Sequence, residues 1–446
     1  MPMQRRRPVT NVALQLAIQD AHLSYRALAR AINGVWVENG RAMYYDAAAI
    51  AHWLTGTVPH AAAIPGICEA FTRLLGRDVT AADLGWPDPG PVADNPWSGD
   101  PVAQLTSLGR DDMLNRRTVL TAGLYSLAAL HLPAPAAAAT TRPGQARRAG
   151  AADVERIRAM TAQFARADDM FGGGHARTAV ASYLVTEVTP LLHGTTGRAR
   201  PALFTAASQL AYLAAFMAND DCRAGLAQRY YIQAVRLADE AGDPVARATV
   251  LRGLAVQAVE LGHPDRAVDL ADAAAAALGD RCPLRVRAWI SGMRAKAYAA
   301  TGDNRAALDA LRRAEADVER AESPPESQWT GAYRRASLEH DTGGTLAALD
   351  DLAEAERHLA GSIAARVGGE RRSKVLVGSR LARVQLSRRH PEEAAATVLG
   401  MRADLALVSS ARVAGELAAL RADWAGARSA SPQVEEADRL IAAVTR

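Results

Sequence analysis

Nine residues in the C-terminal two-thirds of this chain have side chains suited to holding a ligand: Tyr212, Phe216, Asn219, Arg252, Trp289, Lys296, Tyr333, His340 and Arg383. Aromatic faces take apolar groups. An Asn amide can bond a peptide backbone, and Arg or Lys can hold a carboxylate. This is binding chemistry, and no catalytic set accompanies it. The ten His residues are scattered without an HExxH pattern, and Cys68, Cys222 and Cys282 form no CxxC pair. There is no Gly-x-Ser-x-Gly elbow and no dinucleotide fingerprint. The sequence therefore points to a non-enzyme without cofactor or metal. Phe171–Arg177 is Gly-rich and leads into a helix, so its amides could hold an anion. It lacks the Lys-Ser/Thr end of a nucleotide loop and reads more simply as an interhelical turn.

The elements that position these residues recur. Ala214-Ala215, Leu254-Ala255, Arg294-Ala295, Arg335-Ala336 and Leu381-Ala382 start successive copies of one pattern. A small residue or Gly follows in most copies (Cys222, Gly262, Gly302, Gly343), with Arg389 at this place in the last. Then comes an Ala-x-x-x-Leu/Tyr-x-x-Ala face, as at Ala307, Leu311 and Ala314. The expected unit is a helix, a tight turn at the Gly and a second helix packed closely on the first. The offsets between copies read as 40, 40, 41 and 46 residues, from the positions just named. An internal repeat of this length overrides other fold guesses. It resembles the tetratricopeptide repeat, with longer helices or turns. Helical patterns at 151–169, 175–192, 411–425 and 433–445 extend the series to about seven pairs. The expected fold is all-α: a solenoid whose concave face carries the nine residues above.

The N-terminal residues have a different organisation. Ser24 caps an amphipathic helix from Tyr25 to Ile32, and a polar stretch, Asn33–Tyr45, follows. Asp46 caps Ala47–Leu54, Thr55-Gly56 stops it, and Pro65 opens a helix to Leu75. Ile50, Trp53 and Leu54 would lock the second helix to a core, leaving its first residues for the major groove. Candidate DNA contacts are Arg5, Arg6 and Arg7 as an arm, with Arg41, Tyr44, Tyr45, Ala47, Ala48 and His52 around that helix. Ala47-Ala48-Ala49 offers few groups for base edges.

Composition sets the outer limits. Of 446 residues, 99 are Ala and 5% are aromatic, which favours helix over sheet. The net charge of +4 excludes a polycation, and residues 1–88 carry eight Arg against seven acids. Three widely spaced cysteines fit a reducing cytoplasm. Arg116-Arg117 precedes an apolar run to Leu132, too short at 14 residues for the ~20 of a bilayer span. We read it as a helix packed on a neighbouring domain, and expect no membrane. The expected domains are 1–88, a Pro/Ala-rich linker at 89–150 with that one apolar helix, and 151–446.

Over most of its length the chain resembles actinobacterial regulators that join a phage-repressor-type (XRE-like) helix-turn-helix to C-terminal tetratricopeptide repeats. The matching stretches are Tyr45-Asp46 with Ile50–Leu54, Leu75–Arg77 with Thr80–Gly85, and Arg116-Arg117. Phe171–Arg177 and Leu226–Ala234 continue the match. Where similar chains follow the Tyr-Asp with Arg and Ser/Thr, this one has Ala47–Ala49. The resemblance implies a transcriptional regulator, with some members acting in sporulation and antibiotic production. It implies duplex DNA as one partner, and a peptide, small ligand or partner protein on the concave face. A homodimer is expected. The alternative is a scaffold or peptide receptor that acts without specific DNA binding.

Overall fold

A computed structural model describes residues 8–39, 43–87, 96–114, 124–132, 149–279, 282–321, 333–424 and 431–445. The expected Arg5, Arg6, Arg7 and Arg41 contacts lie outside them. All regular secondary structure among the described residues is helical, with no strand.

The first unit contains α1 (Val12–Asp20), α2 (Tyr25–Val37), α3 (Ala47–Leu54) and α4 (Ile64–Leu75), closed by a 3-10 turn at Ala82–Leu84. The Ser24 and Asp46 side chains accept bonds from Ala27 N and Ala49 N, satisfying amides that the first turn leaves free. Ile50, Trp53 and Leu54 enter one core with Ile32, Trp36, Ile67 and Phe71. Helix α2 outruns the expected stop at Ile32 by five residues. Val35 and Trp36 continue its buried face, and Asn33 bonds the Tyr45 backbone from both ends of its amide, at 2.8 Å each. The first residues of the expected polar stretch, 33–37, thus belong to α2, and Asn33 acts as a clamp.

The second unit is a solenoid-like series of antiparallel pairs. Helix α6 (Ala151–Phe171) pairs with the run α7 (Gly173–Tyr183), a π turn and α8 (Thr189–Gly194). Then come α9 (Ala199–Asp220) with α10 (Ala224–Ala241), and α11 (Pro244–Glu260) with α12 (Pro264–Ala277). Helices α13 (Leu284–Thr301) and α14 (Asn304–Arg320) follow, then α15 (Arg335–Ala348) and α16 (Leu352–Ala364). The last pairs are α17 (Arg371–Ser387) with α18 (Pro391–Gly400) and, after the short α19 (Arg402–Leu405), α20 (Ala411–Asp423) with α21 (Pro432–Val444). Asp243, Asp303 and Asp351 cap second or first helices with their carboxylates. Pro244, Pro264 and Pro391 occupy first-turn positions, where no amide bond is lost. Helix α9 has the length and apolarity to cross a bilayer, yet most of its surface is buried among its neighbours.

The repeat register needs one correction. The turns with positive φ fall at Cys222, Gly262, Gly302, Asp350 and Arg389, which lie 40, 40, 48 and 39 residues apart. Gly343 is not a turn. It sits inside α15, where a Cβ would lie 2.7 Å from the Leu359 side chain and 3.0 Å from the Ala355 carbonyl. It is the close-approach position of its copy, equivalent to Ala295. The face of the second helix is therefore Ala355, Leu359 and Ser362, all buried. Both positions favour Gly, and the sequence pattern does not separate them.

The array bends round until its end meets its beginning: α17 packs on α6 and α20 on α9. At this seam Ser409 N donates to the Phe171 carbonyl at 2.7 Å, and Ser410 Oγ donates to Asp220 at 2.9 Å. Gly172 has φ +90°, and a Cβ there would sit 2.2 Å from the Ser409 carbonyl. Within the Gly-rich Phe171–Arg177 stretch the interhelical turn is the single residue Gly172, with residues 173–177 already in α7, and this turn is also the surface on which the ring closes.

Where it is described, the stretch expected to be a linker is part of the second unit. Helix α5 (Pro101–Leu114) puts Val102, Leu105 and Leu108 into the core of the array. Its Asp112 is buried, ion-paired to Arg177, and accepts from Tyr230 Oη at 3.1 Å. Residues 124–132 form a strap rather than the expected helix, with one 3-10 turn at Ala128–Leu130. The Gln228 amide bonds Ser126 twice, at 2.8 and 2.7 Å, as a neighbouring strand would. On its other side the strap meets the first unit. Tyr125 N donates to Asn39 at 3.1 Å and Leu127 N to Glu69 at 2.8 Å. Arg73 binds Glu69 and Glu38 there at 2.8–2.9 Å. Tyr125 also stacks on His263 of the array, with ring centroids 5.5 Å apart, and burial together with Arg73 pulls that His down to about 4.

Candidate functional site

The ring encloses a cavity of about 1660 Å³, lined mainly by α6 and the first helix of each later pair. Ligand sites are commonly ~300–1,000 Å³, so this space suits a short peptide or a bulky small molecule. Eight of the nine expected residues line it: Tyr212, Phe216, Arg252, Trp289, Lys296, Tyr333, His340 and Arg383. Asn219 does not. Its amide is taken up inside the array, donating to Glu260 at 3.0 Å and accepting from Gln257 at 3.2 Å. It is no free reader of a peptide backbone.

Aromatic rings form much of the wall. Tyr212 and Phe216 are stacked 6.4 Å apart on α9, as residues four apart on a helix can be. Trp289 tilts against Tyr333 at 6.2 Å. Two guanidinium groups lie over rings: Arg252 over Trp289 at 4.2 Å and Arg372 over Phe216 at 4.8 Å. Each such contact is worth about 0.5–2 kcal/mol.

Most of the charge is internally matched. Lys296 is ion-paired to Asp341, which also accepts from Tyr333 Oη at 3.1 Å. Burial lowers the Lys296 ammonium below its ordinary value, against the pull of Asp341. Burial also holds His340 well below its usual range, helped by Lys296 and Arg380, so it is neutral and takes a 2.9 Å contact from Arg380. Burial pushes Glu416 up, but Arg380 and Arg383 outweigh it and keep the group low. Arg412 and Arg380 both reach Glu260. Arg252 differs. Its residue is 9% exposed and it has no carboxylate partner among the described residues; its Nε is buried without a hydrogen bond, as are those of Arg366 and Arg372, which do have carboxylates.

At the seam edge of the cavity Arg372 faces three carboxylates: Asp168 at 3.2 Å, Asp169 at 3.1 Å and Asp220 at 4.0 Å. Burial pushes Asp168 up to about 7. Arg372 opposes the shift, and the neighbouring Asp220 and Asp169 add to it. The sequence carries no visible sign of this cluster, because its members are about 50 and 150 residues apart.

The exposed face of α3 is narrow. Tyr44 is 84% exposed, and Ala48, Ala51 and His52 follow it toward solvent. Ala47 is half-buried. Tyr45 turns inward, its ring edge-on to Trp53 at 5.2 Å, so it braces the helix instead of joining that face. Arg26 and Arg30 are exposed on α2, and Arg77 just beyond α4. The four-residue spacing of Arg26 and Arg30 was the available signal that both would share one face.

One group among the described residues has metal-ligand spacing: Glu356, His390 and Glu393. Glu356 is already engaged by Arg388 and Gln385, and Glu393 is exposed. Residues 14–87 match the family model of the SP15 N-terminal domain. That match covers the first unit only. No curated protein matches the chain.

Proposed function

We propose that this chain is a DNA-binding transcriptional regulator whose ring-shaped array senses a short peptide or small ligand. One observation carries this reading. The first unit is held to the array through α2, α4 and the strap, while the start of α3 stays exposed. A helix able to enter a groove and a cavity able to hold a ligand thus belong to one connected body. In this reading α2 and α3 act as the helix-turn-helix pair. Tyr44, Ala48 and His52 face the bases, and Arg26 and Arg30 face phosphates. Buried Trp53 and Tyr45 fix the helix. The resemblance to regulators of differentiation and secondary metabolism supports the same role in this chain.

The test is genomic crosslinking with sequencing on the full chain, followed by retardation assays on the enriched sites. Enriched sites bound at nanomolar protein, and weakened by Tyr44→Ala with His52→Ala, support the proposal. No enriched site, together with no retardation at low salt, overturns it.

A second reading, a protein-binding scaffold without specific DNA recognition, is favoured by Ala47–Ala49, where base-reading side chains are missing. A stable protein partner combined with absence of DNA affinity would select it.

A further inference from the structure

We infer that the cavity takes a carboxylate-bearing ligand, its anionic group seated on Arg252 and its planar or apolar body against Trp289. This deepens the proposed sensing role and rests on the cavity being a ligand site. Arg252 projects from α11 and lies over the Trp289 ring at 4.2 Å. Its Nε is buried without a hydrogen-bond partner, in a residue only 9% exposed. The other buried or half-buried cations of the wall that reach the lumen have acids: Lys296 has Asp341, Arg372 has Asp168 and Asp169, Arg366 has Glu370 and Arg380 has Glu416. Arg252 instead lies over a ring and is hydrogen-bonded to the neutral Tyr212 phenol, neither of which supplies a negative charge.

A buried guanidinium without a counter-charge is costly, because the Trp289 ring and the Tyr212 phenol replace only part of the lost hydration. A planar carboxylate fits its fork of N–H donors and supplies the missing charge. The ring beneath holds the guanidinium flat, so little freedom is lost on binding. Neutral His340 and the closed Lys296–Asp341 pair leave Arg252, among the described buried residues of this part of the wall, as a cation without a paired acid. The same chemistry could come from the free C-terminus of a short peptide or from a small aromatic acid.

Two fluorescent probes test this on the full chain. 8-Anilino-1-naphthalenesulfonate carries an anionic group, and N-phenyl-1-naphthylamine has the same rings without it. The sulfonate should bind between about 10- and 100-fold more tightly than the neutral probe, as charged hydrogen bonds imply. Arg252→Gln should abolish that preference without weakening the neutral probe, and Arg252→Lys should keep part of it. Melting curves of both variants report folding. Displacement of the sulfonate by Ala-Ala-Phe and not by its C-terminal amide points to a peptide end. Displacement by phenylacetate and not by the peptide points to a small acid. If both probes bind wild type equally and Arg252→Gln changes neither, the anion assignment is wrong while the cavity remains a binding site. If neither probe binds, or binding survives Trp289→Ala unchanged, the cavity reading itself fails.

Discussion

Replacing Asp168 by Asn should remove one loss of stability that the array suffers as pH rises. Asp168 sits at the seam with Asp169, Asp220 and one guanidinium, Arg372, so three acids share a single cation. One Oδ of Asp168 is buried without any hydrogen bond. Its folded value is raised from the ordinary 3.8 to about 7. For a raised acid the folded state holds the proton more tightly than the unfolded chain. The associated stability is fully present below about 4 and is lost as pH rises through about 7. At about 1.4 kcal/mol per pH unit, most of the loss falls below pH 7, and between pH 5.5 and 7.5 it amounts to about 2 kcal/mol. Buried neutral His340 and His263 act in the opposite sense, since they gain protons on unfolding at low pH. The clean measurement is therefore a difference: thermal melts of wild type and Asp168→Asn at both pH values. From pH 5.5 to 7.5 the stability change of the variant should be more favourable than that of wild type, by roughly that amount. Parallel curves for the two proteins would refute the account, because they would show Asp168 ionised at both pH values.

Three further outcomes follow from the geometry. Gly172→Ala should destabilise the ring by about 2 kcal/mol or more, through positive φ and collision with the Ser409 carbonyl. Gly262→Ala, with positive φ but open space around it, should cost only about 1 kcal/mol, and paired melts compare them. Gln228→Ala removes both bonds to Ser126 and should cost about 1–3 kcal/mol at the strap; faster hydrogen exchange at 124–132 without a lower melting point of the array is the expected signature. If α2 faces phosphates, Arg26→Gln with Arg30→Gln should lower the salt slope of DNA binding by about two, and an unchanged slope would remove them from the interface.

Most helices, though not α5, were legible in the sequence because their signals are local. Ser24 and Asp46 cap where expected, and the small-residue faces repeat from pair to pair. Local signals also carried most of the cavity wall, since residues at matching places in successive first helices must share a face. They failed where one residue type serves two purposes. Gly343 looked like a turn and is a contact; Asn33 looked like the first residue of a polar stretch beyond the helix and is a clamp inside α2. The apolar run to Leu132 looked helical and, where described, is a strap, because its backbone groups find partners in Gln228, Asn39 and Glu69. The seam was out of reach. Nothing in the spacing of Phe171, Arg372 and Ser409 says that an array of this length curls through one full turn.

Closure changes what evolution can do with such a chain. An open array tolerates the gain or loss of a unit, since each pair touches only its neighbours. Here a deleted pair would leave Ser409 and Arg372 short of Phe171 and Asp168, and an added one would carry them past. The number of pairs is therefore fixed as firmly as a core residue, and variation must come from exchanging side chains inside the ring rather than from changing its length.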